Sequence, residues 1–434
     1  MPTSLLLDFG ATRIKAALCD TNNGNLFEIK SRLSTPPVQK GVVFEIPFKA
    51  LLKDFLSVCE EYAKQYDFTD IFICCQMHGF VLTDETDQPL TEYISWQDDS
   101  ASVAPLGKPS SWELFKEEFS DSFKEITGLR LRAGFPVVKI WDFLRKNHYE
   151  KVKVLSLGEA LCLAGQSFHQ AHITMSAGSG CLDFNTKHPS KKILDFIKLH
   201  TGTHLEFNEV TQELKPAGEI VLHGKKVCIW TAVGDHQCAV LGAGNNLDSL
   251  SVNLGTGSQV SAICTVSPDI AQAERRHFFG GQELLTITHI PAGRVLAALM
   301  SFYTQLTGRD GWRKFNDVSV DELQNSKLPV FNLALFTDAW GYENGGAITS
   351  LTLENLSENA LWAGLFRSFA MQYVRALDNL KIPGRKEIIL SGGKLSQSNV
   401  LLHYLNKKTG IPVRLANMGD ETLVGLAELA KKYC

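Results

Sequence analysis

The sequence has no excess of one charge sign. It carries 43 Lys and Arg against 47 Asp and Glu, a formal net charge of −4. It also has no basic block. Both absences exclude the electrostatic footprint of a nucleic-acid binder or an acidic-membrane binder. No uninterrupted apolar run reaches membrane-spanning length. Only SLLL precedes Asp8, too short for the apolar core of a secretory signal. The ten cysteines form no C-x-x-C pair, so neither a zinc ribbon nor a disulfide framework is indicated. There is no G-x-x-x-x-G-K-[ST] string, which excludes a P-loop. We therefore expect a cytoplasmic protein with buried free thiols and small-molecule partners. It should have no nucleic-acid or membrane partner, and should be a monomer or homodimer.

What is present is a repeat. Near the start the chain reads LLDFGATRIKAAL, and much later SVNLGTGSQVSAI. Aligned on Gly10 and Gly255, Asp8 falls opposite Asn253, Phe9 opposite Leu254 and Thr12 opposite Gly257. Each stretch is a short apolar run that stops at a glycine, followed by a second run, which predicts two strands around a sharp turn. A chain of 434 residues exceeds one ordinary core. The repeat predicts two similar domains, cut at the turn-rich GNNLDS: residues 1–246 and 247–434.

The rest of the chain alternates strand and helix. LFEIKSRL reads as a third strand. FKALLKDFLSVCEEYAKQY then places Leu52, Phe55, Leu56, Cys59 and Tyr62 on one helical face, before a strand at TDIFICCQMHG. GFPVVKIWDFLRKN reads as helix after Pro136, and KVCIWTAVGDHQCAVLGAG as a strand, a Gly-Asp turn and a small-residue helix. In the second half ENALWAGLFRSFAMQYVRALDNLK carries an apolar stripe through Leu361, Leu365, Phe366, Phe369, Tyr373 and Leu377. KEIILSGGKLSQSN is a strand, a double-glycine turn and a helix start, and ETLVGLAELAKKY closes as a short helix.

Turns rich in Gly, Thr and Ser bring backbone N–H groups to an anion. Thr12, Thr256 and Ser258 can add hydroxyls, and Arg13 and Lys15 charge. Asp8 can hold a metal ion that itself carries phosphates, since Mg²⁺ takes carboxylate and water oxygens. The turn at Ser391–Gly393 can admit a ring or a ribose. One such turn is an ordinary hairpin. His78 alone reads as a surface histidine, Met77 as core, Trp96 as packing and Asp235 as a turn former. The three turns together indicate a nucleotide.

In this order, DFGATRIKA, CQMHG, ISWQD, GFPVVKIW, TAVGDHQCAVLGAG, NLGTGSQVS and SGGKLSQSN resemble the motifs of the FGGY carbohydrate kinases, within the actin-like ATPase superfamily. The match covers nearly the whole chain. The short AVGDHQCAV and the GYENGG stretch resemble the sedoheptulokinases first and the xylulokinases next. The resemblance implies an α/β fold of two actin-like, ribonuclease-H-like domains. Each would have a mixed five-stranded sheet flanked by helices, with an active-site cleft between the domains. It implies ATP-dependent phosphorylation of a ketose such as sedoheptulose, with xylulose, ribulose or a polyol as alternatives. A catalytically silent actin-like nucleotide-binding protein is the alternative from another class. Asp235 would be the general base, with Asp8 and Asp235 near Mg²⁺. ATP would meet Thr12, Arg13, Lys15, Gly255, Thr256, Gly257, Gly392, Gly393 and Asn399. The sugar would meet Gln76, Met77, His78, Trp96, Asp98 and His236. The chain departs from the family pattern at Ala11, Arg13 and Ser100.

Overall fold

The computed structural model describes residues 2–434 except 337, 343, 344, 381 and 418. Glu343 and Asn344 of the GYENGG stretch therefore lie outside the described residues. Two compact units emerge. Unit 1 comprises Met1–Gly242, Arg276–Gln282 and Gly419–Cys434; unit 2 comprises Ala243–Arg275 and Glu283–Met418.

Unit 1 begins with β1 (Thr3–Phe9), β2 (Arg13–Asp20) and β3 (Asn25–Leu33), followed by helix α1 (Phe48–Ala63) and β4 (Asp70–Cys75). A small hairpin, Val38–Lys40 and Val43–Ile46, is inserted before α1 and pairs with Tyr93–Ile94 in a separate sheet. Helix α1 buries Leu51, Phe55, Val58, Cys59 and Tyr62, so its inner face is turned slightly from the expected one. Helix α2 (Pro136–Lys146) starts at its proline, whose missing N–H costs nothing in a first turn. Strands β5 (Pro216–Leu222), β6 (Lys225–Trp230) and β7 (Val233–Gly234) lead into helix α3 (Asp235–Gly242).

The main sheet has eight strands, ordered from Gln166–Ser167 through β5, β6, β4, β1 and β2 to β3, with β7 also beside β4. It is mixed, as expected, and wider than five strands because the β5–β6 hairpin and Gln166–Ser167 extend its edge. β1, β4 and β7 run parallel, with Asp8 beside Cys74, Phe9 beside Cys75 and Gly234 beside Cys75. That register brings Asp8, Gln76 and Asp235 to the carboxyl ends of neighbouring strands, where ligands of open α/β sheets bind.

Strand periodicity explains the layers. Leu5, Leu7 and Phe9 face α1, while Leu6 faces the opposite core with Cys74 and Cys238. Each fully buried side chain of this kind contributes about 1.5–3 kcal/mol.

Unit 2 holds β8 (Ser249–Leu254), β9 (Ser258–Cys264), β10 (Glu283–Ile290), helix α4 (Gly293–Thr307), helix α5 (Glu358–Leu380), β11 (Glu387–Gly392), helix α6 (Asn399–Thr409) and β12 (Val413–Leu415). Its sheet runs β10–β9–β8–β11–β12. As in unit 1, the first strand is antiparallel to the second and parallel to a later one. Helix α5 buries Leu365, Phe366, Phe369, Tyr373 and Leu377 against this sheet.

The chain then returns to unit 1 as α7 (Glu421–Tyr433). This departs from a single cut at 246/247. Small residues decide it: Gly242 on α3 faces Glu421 O, and Gly425 on α7 faces Cys238 O, so closely that a methyl on either would overlap the other helix's backbone. Leu423, Leu426 and Ala427 of α7 complete the core that Leu6 and Cys74 begin.

Candidate active site

In unit 1, Gly10 N–H donates to Arg13 O across 3.2 Å and closes the β1–β2 turn, leaving Thr12 and Arg13 exposed. Arg13 Nε donates to Ser31 Oγ at 2.7 Å. Lys15 Nζ lies 3.2 Å from Asp8 and 2.7 Å from Asp420. Thr422 Oγ1 donates to Asp8 Oδ2 at 2.6 Å. Burial raises the Asp8 pKa above its ordinary value, while Lys15 and the Thr422 hydroxyl pull it down. Burial alone would lower the Lys15 pKa, and the two carboxylates more than reverse that.

Asp235 opens α3, and its Oδ1 accepts the His236 N–H at 2.8 Å. Its carboxyl is pushed up to about 7, first by burial and then by the charge of Asp8. The His236 N–H and Arg276 act in the opposite direction. Arg276 Nη1 donates to His236 Nδ1 at 3.4 Å, and burial lowers its own pKa to about 10. His236 is buried, with its pKa held well below the ordinary value, so the ring is neutral.

Gln76 is only 3 % exposed, yet neither amide atom has a hydrogen-bond partner among the described residues. An unpaired buried polar group costs about 1–3 kcal/mol. Met77 is buried and approaches Gly234. His78 has a left-handed backbone, φ 63°. Its Nδ1 donates to Gly178 O at 2.9 Å, which fixes the tautomer and leaves Nε2 an acceptor. Burial lowers its pKa to about 3. Trp96 is 42 % exposed, a large aromatic surface open to a ligand. Asp98 is already engaged: it accepts from Phe44 N–H of the small hairpin at 2.8 Å and from Ser100 Oγ in its own loop at 2.5 Å. Ser100, one of the departures, therefore has a local role.

In unit 2 the second turn is one residue shorter. Leu254 pairs with Ser258, whereas Phe9 pairs with Ile14. Gly255 N–H donates to Gly257 O at 3.1 Å, and Thr256 and Gly257 are exposed. Asn253 stands where unit 1 has Asp8, and its amide donates to Ser391 Oγ at 3.1 Å. Gly392 has φ 99°, and a Cβ there would lie 2.7 Å from Leu254 O. Gly393 N–H donates to that same carbonyl at 3.0 Å, which joins the third turn to the second. Helix α4 begins against the second turn, with Arg294 N–H donating to Thr256 O at 2.9 Å. Asn399 is exposed at the start of α6.

The sequence profile of the FGGY family of carbohydrate kinases, N-terminal domain, matches residues 3–242. The chain belongs to the FGGY family of carbohydrate kinases. It is an ATP-dependent phosphotransferase with an alcohol group as acceptor. A glycerol kinase of Trichodesmium erythraeum is 25 % identical over 98 % of the kinase and 88 % of that relative. Two solved structures share the fold. The xylulose kinase of Lactobacillus acidophilus has a TM-score of 0.82 at 17 % identity, over 100 % of this chain and 89 % of that one. The ADP-bound glycerol kinase of Plasmodium falciparum has 0.80 at 16 % identity, over 99 % and 89 %. No helix among the described residues is long and apolar enough to cross a membrane.

The donor chemistry of the kinase fits Mg²⁺. Asp8 and Asp235 offer carboxylate oxygens and repel each other, a repulsion that a divalent cation relieves. Among the described residues there is no cluster of three or more His, Cys, Asp or Glu able to hold a metal by itself.

Three residues of the unit 1 site were missed in the sequence: Arg276, Asp420 and Thr422. Arg276 sits in ERRHFF, which carries no spacing signal. Asp420 and Thr422 lie more than 400 positions from Asp8, and only folding unites them.

Proposed function

We propose that this kinase transfers the γ-phosphoryl group of ATP to a hydroxyl of a ketose such as sedoheptulose, with Asp235 as general base. The observation that carries the reading is the Asp235 carboxyl, held near neutrality at the start of α3. A base works best when its pKa lies near the operating pH. The hydroxyl oxygen forms its bond to the γ-phosphorus as the bond to the β-γ bridging oxygen breaks. The hydroxyl proton passes to Asp235 and ADP departs. Phosphoryl transfer needs positioning and charge neutralisation rather than covalent help.

Gln76 and His78 offer polar atoms, Met77 and Trp96 an apolar wall, and His236 a neutral ring toward the sugar, with Asp98 fixing the Trp96 loop. Thr12, Gly255, Thr256 and Gly257 take phosphates. Gly392, Gly393 and Asn399 take the adenosine. Arg13 and Lys15 contribute positive charge, Lys15 through its grip on Asp8. Mg²⁺ near Asp8 and Asp235 would neutralise phosphate charge.

A polyol acceptor is the second reading, favoured by the similarity to a glycerol kinase. The deciding experiment is coupled ADP release with ATP and Mg²⁺ across sedoheptulose, xylulose, ribulose, fructose, glycerol, erythritol and ribitol. A response led by a ketose supports the first reading. One led by glycerol, erythritol or ribitol replaces it with the second.

A further inference from the structure

Lys139 lies outside the chemistry described so far. It sits on α2 between Val138 and Ile140, in a stretch buried from Pro136 to Asp142. Its side chain is deeply enclosed; the residue is 2 % exposed. An ammonium in such a place is costly unless its N–H groups are bonded. Nζ donates to Ser95 O at 2.7 Å and, more weakly, to His78 O at 3.5 Å. It also lies 6.0 Å from the centroid of the Phe80 ring.

These two carbonyls belong to different loops. His78 ends the loop that follows β4 and carries Gln76 and Met77. Ser95 immediately precedes Trp96. Nothing in the transfer chemistry uses this ammonium, yet one atom joins the backbones of both loops that offer groups to the sugar. We propose that Lys139 is a positioning residue: its buried ammonium ties the Gln76–His78 loop to the Ser95–Trp96 loop and thereby sets the geometry in which the sugar is held. This rests on the sugar-kinase reading above.

Three observations add to the geometry. His78 is held in a left-handed backbone, so its carbonyl depends on surrounding contacts to keep its direction. Ser95 N–H donates to Phe44 O at 3.1 Å, so the second loop is anchored from its other side and the tie has something firm to pull against. The charged groups facing Lys139 are Asp98 and Asp99, which favour its ammonium form, and His78, which is neutral. Burial outweighs the two carboxylates and lowers the Lys139 pKa to about 7. The ammonium, with its stronger charge-assisted bonds, prevails below that pH, and the weaker neutral amine above it.

The test compares wild type, Lys139→Met and Lys139→Arg. The measurements are kcat, sugar KM and ATP KM between pH 6 and 8.5, with the sugar that gives the best ADP release. Backbone hydrogen exchange at residues 76–80 and 95–99 is followed without any sugar. In Lys139→Met the sugar KM should rise about tenfold or more, as expected for losing charged hydrogen bonds, with ATP KM within about twofold. In wild type the sugar KM should climb through neutral pH. It should be flat in Lys139→Met, and also flat in Lys139→Arg, whose charge persists throughout. Both loops should exchange faster in Lys139→Met.

An unchanged sugar KM, or sugar and ATP KM rising together, overturns the proposal. If Lys139→Met fails to fold, a wild-type sugar KM that stays flat with pH overturns it instead. If wild type turns over no sugar, the substrate reading has failed. The tie is then decided by hydrogen exchange alone, and unchanged exchange in both loops overturns it.

Discussion

Replacing Asp235 with Asn should remove activity and stabilise the fold at the same time. The carboxyl pKa is raised from 3.8 to about 7, chiefly by burial. Between those values the folded state binds more protons at this position than the unfolded chain, so wild-type stability falls as pH rises from about 4 to 7 and then levels off. A shift of about three units corresponds to roughly 4 kcal/mol at 1.36 kcal/mol per unit. Asp235 retains partial solvent contact, and screening reduces the figure to about 2–4 kcal/mol. Asn keeps the oxygen that accepts the His236 N–H and never ionises, so it avoids the cost. The assay is ligand-free thermal melting of both proteins at pH 5 and pH 8, with coupled ADP release alongside. At about 1–2 °C per kcal/mol for a chain of this size, the variant should melt a few degrees higher at pH 8, with a smaller gap at pH 5. Its phosphoryl transfer should fall by about 10²–10⁴. A variant that melts lower at pH 8, or a gap that widens toward acid, refutes the desolvation account. Retained transfer refutes the base. In wild type, kcat should rise with pH and reach its plateau above about 7, because only the ionised carboxylate accepts a proton.

Three further outcomes follow from the geometry. Gly392→Ala should cost about 1–3 kcal/mol, because its φ is positive and its Cβ meets Leu254 O. ATP KM should rise more than sugar KM, and equal rises would point to general destabilisation instead. Thr422→Val removes a hydroxyl that lowers the Asp8 pKa. The Mg²⁺ concentration for half-maximal rate should then increase, more at pH 6 than at pH 8, as titration at both pH values would reveal. Trp96→Ala should change the melting temperature little because Trp96, 42 % exposed, belongs to none of the buried clusters among the described residues, while sugar kcat/KM drops about tenfold; a lower melting temperature with normal kcat/KM would make Trp96 a packing residue.

Much of the fold was legible because its signals are local. Apolar runs ending at Gly10 and Gly255 specify strands and turns whatever surrounds them. Pro136 marks a helix start, and the stripe through Leu365, Phe369 and Tyr373 marks a buried helix face. The small hairpin before α1 was less legible, since Val38–Lys40 is exposed along its whole length and shows no alternation in burial. The residues of the site were legible by type and less so by partner. Lys15 could be seen as a charge near a turn, but its engagement with Asp8 and Asp420 could not.

The sequence by itself determined the two strand–turn–strand repeats, the order of the motifs and the placement of Asp235 at the head of a small-residue helix. Periodicity and glycine placement act over a few residues, so they survive without knowledge of the rest. The tertiary structure alone decided that α7 returns to unit 1, that Thr422 bonds Asp8 across 414 positions, and that Arg276 and Asp8 together tune Asp235. Those outcomes depend on which distant groups share one desolvated space. There burial and charge set each pKa, and no local pattern encodes that sharing.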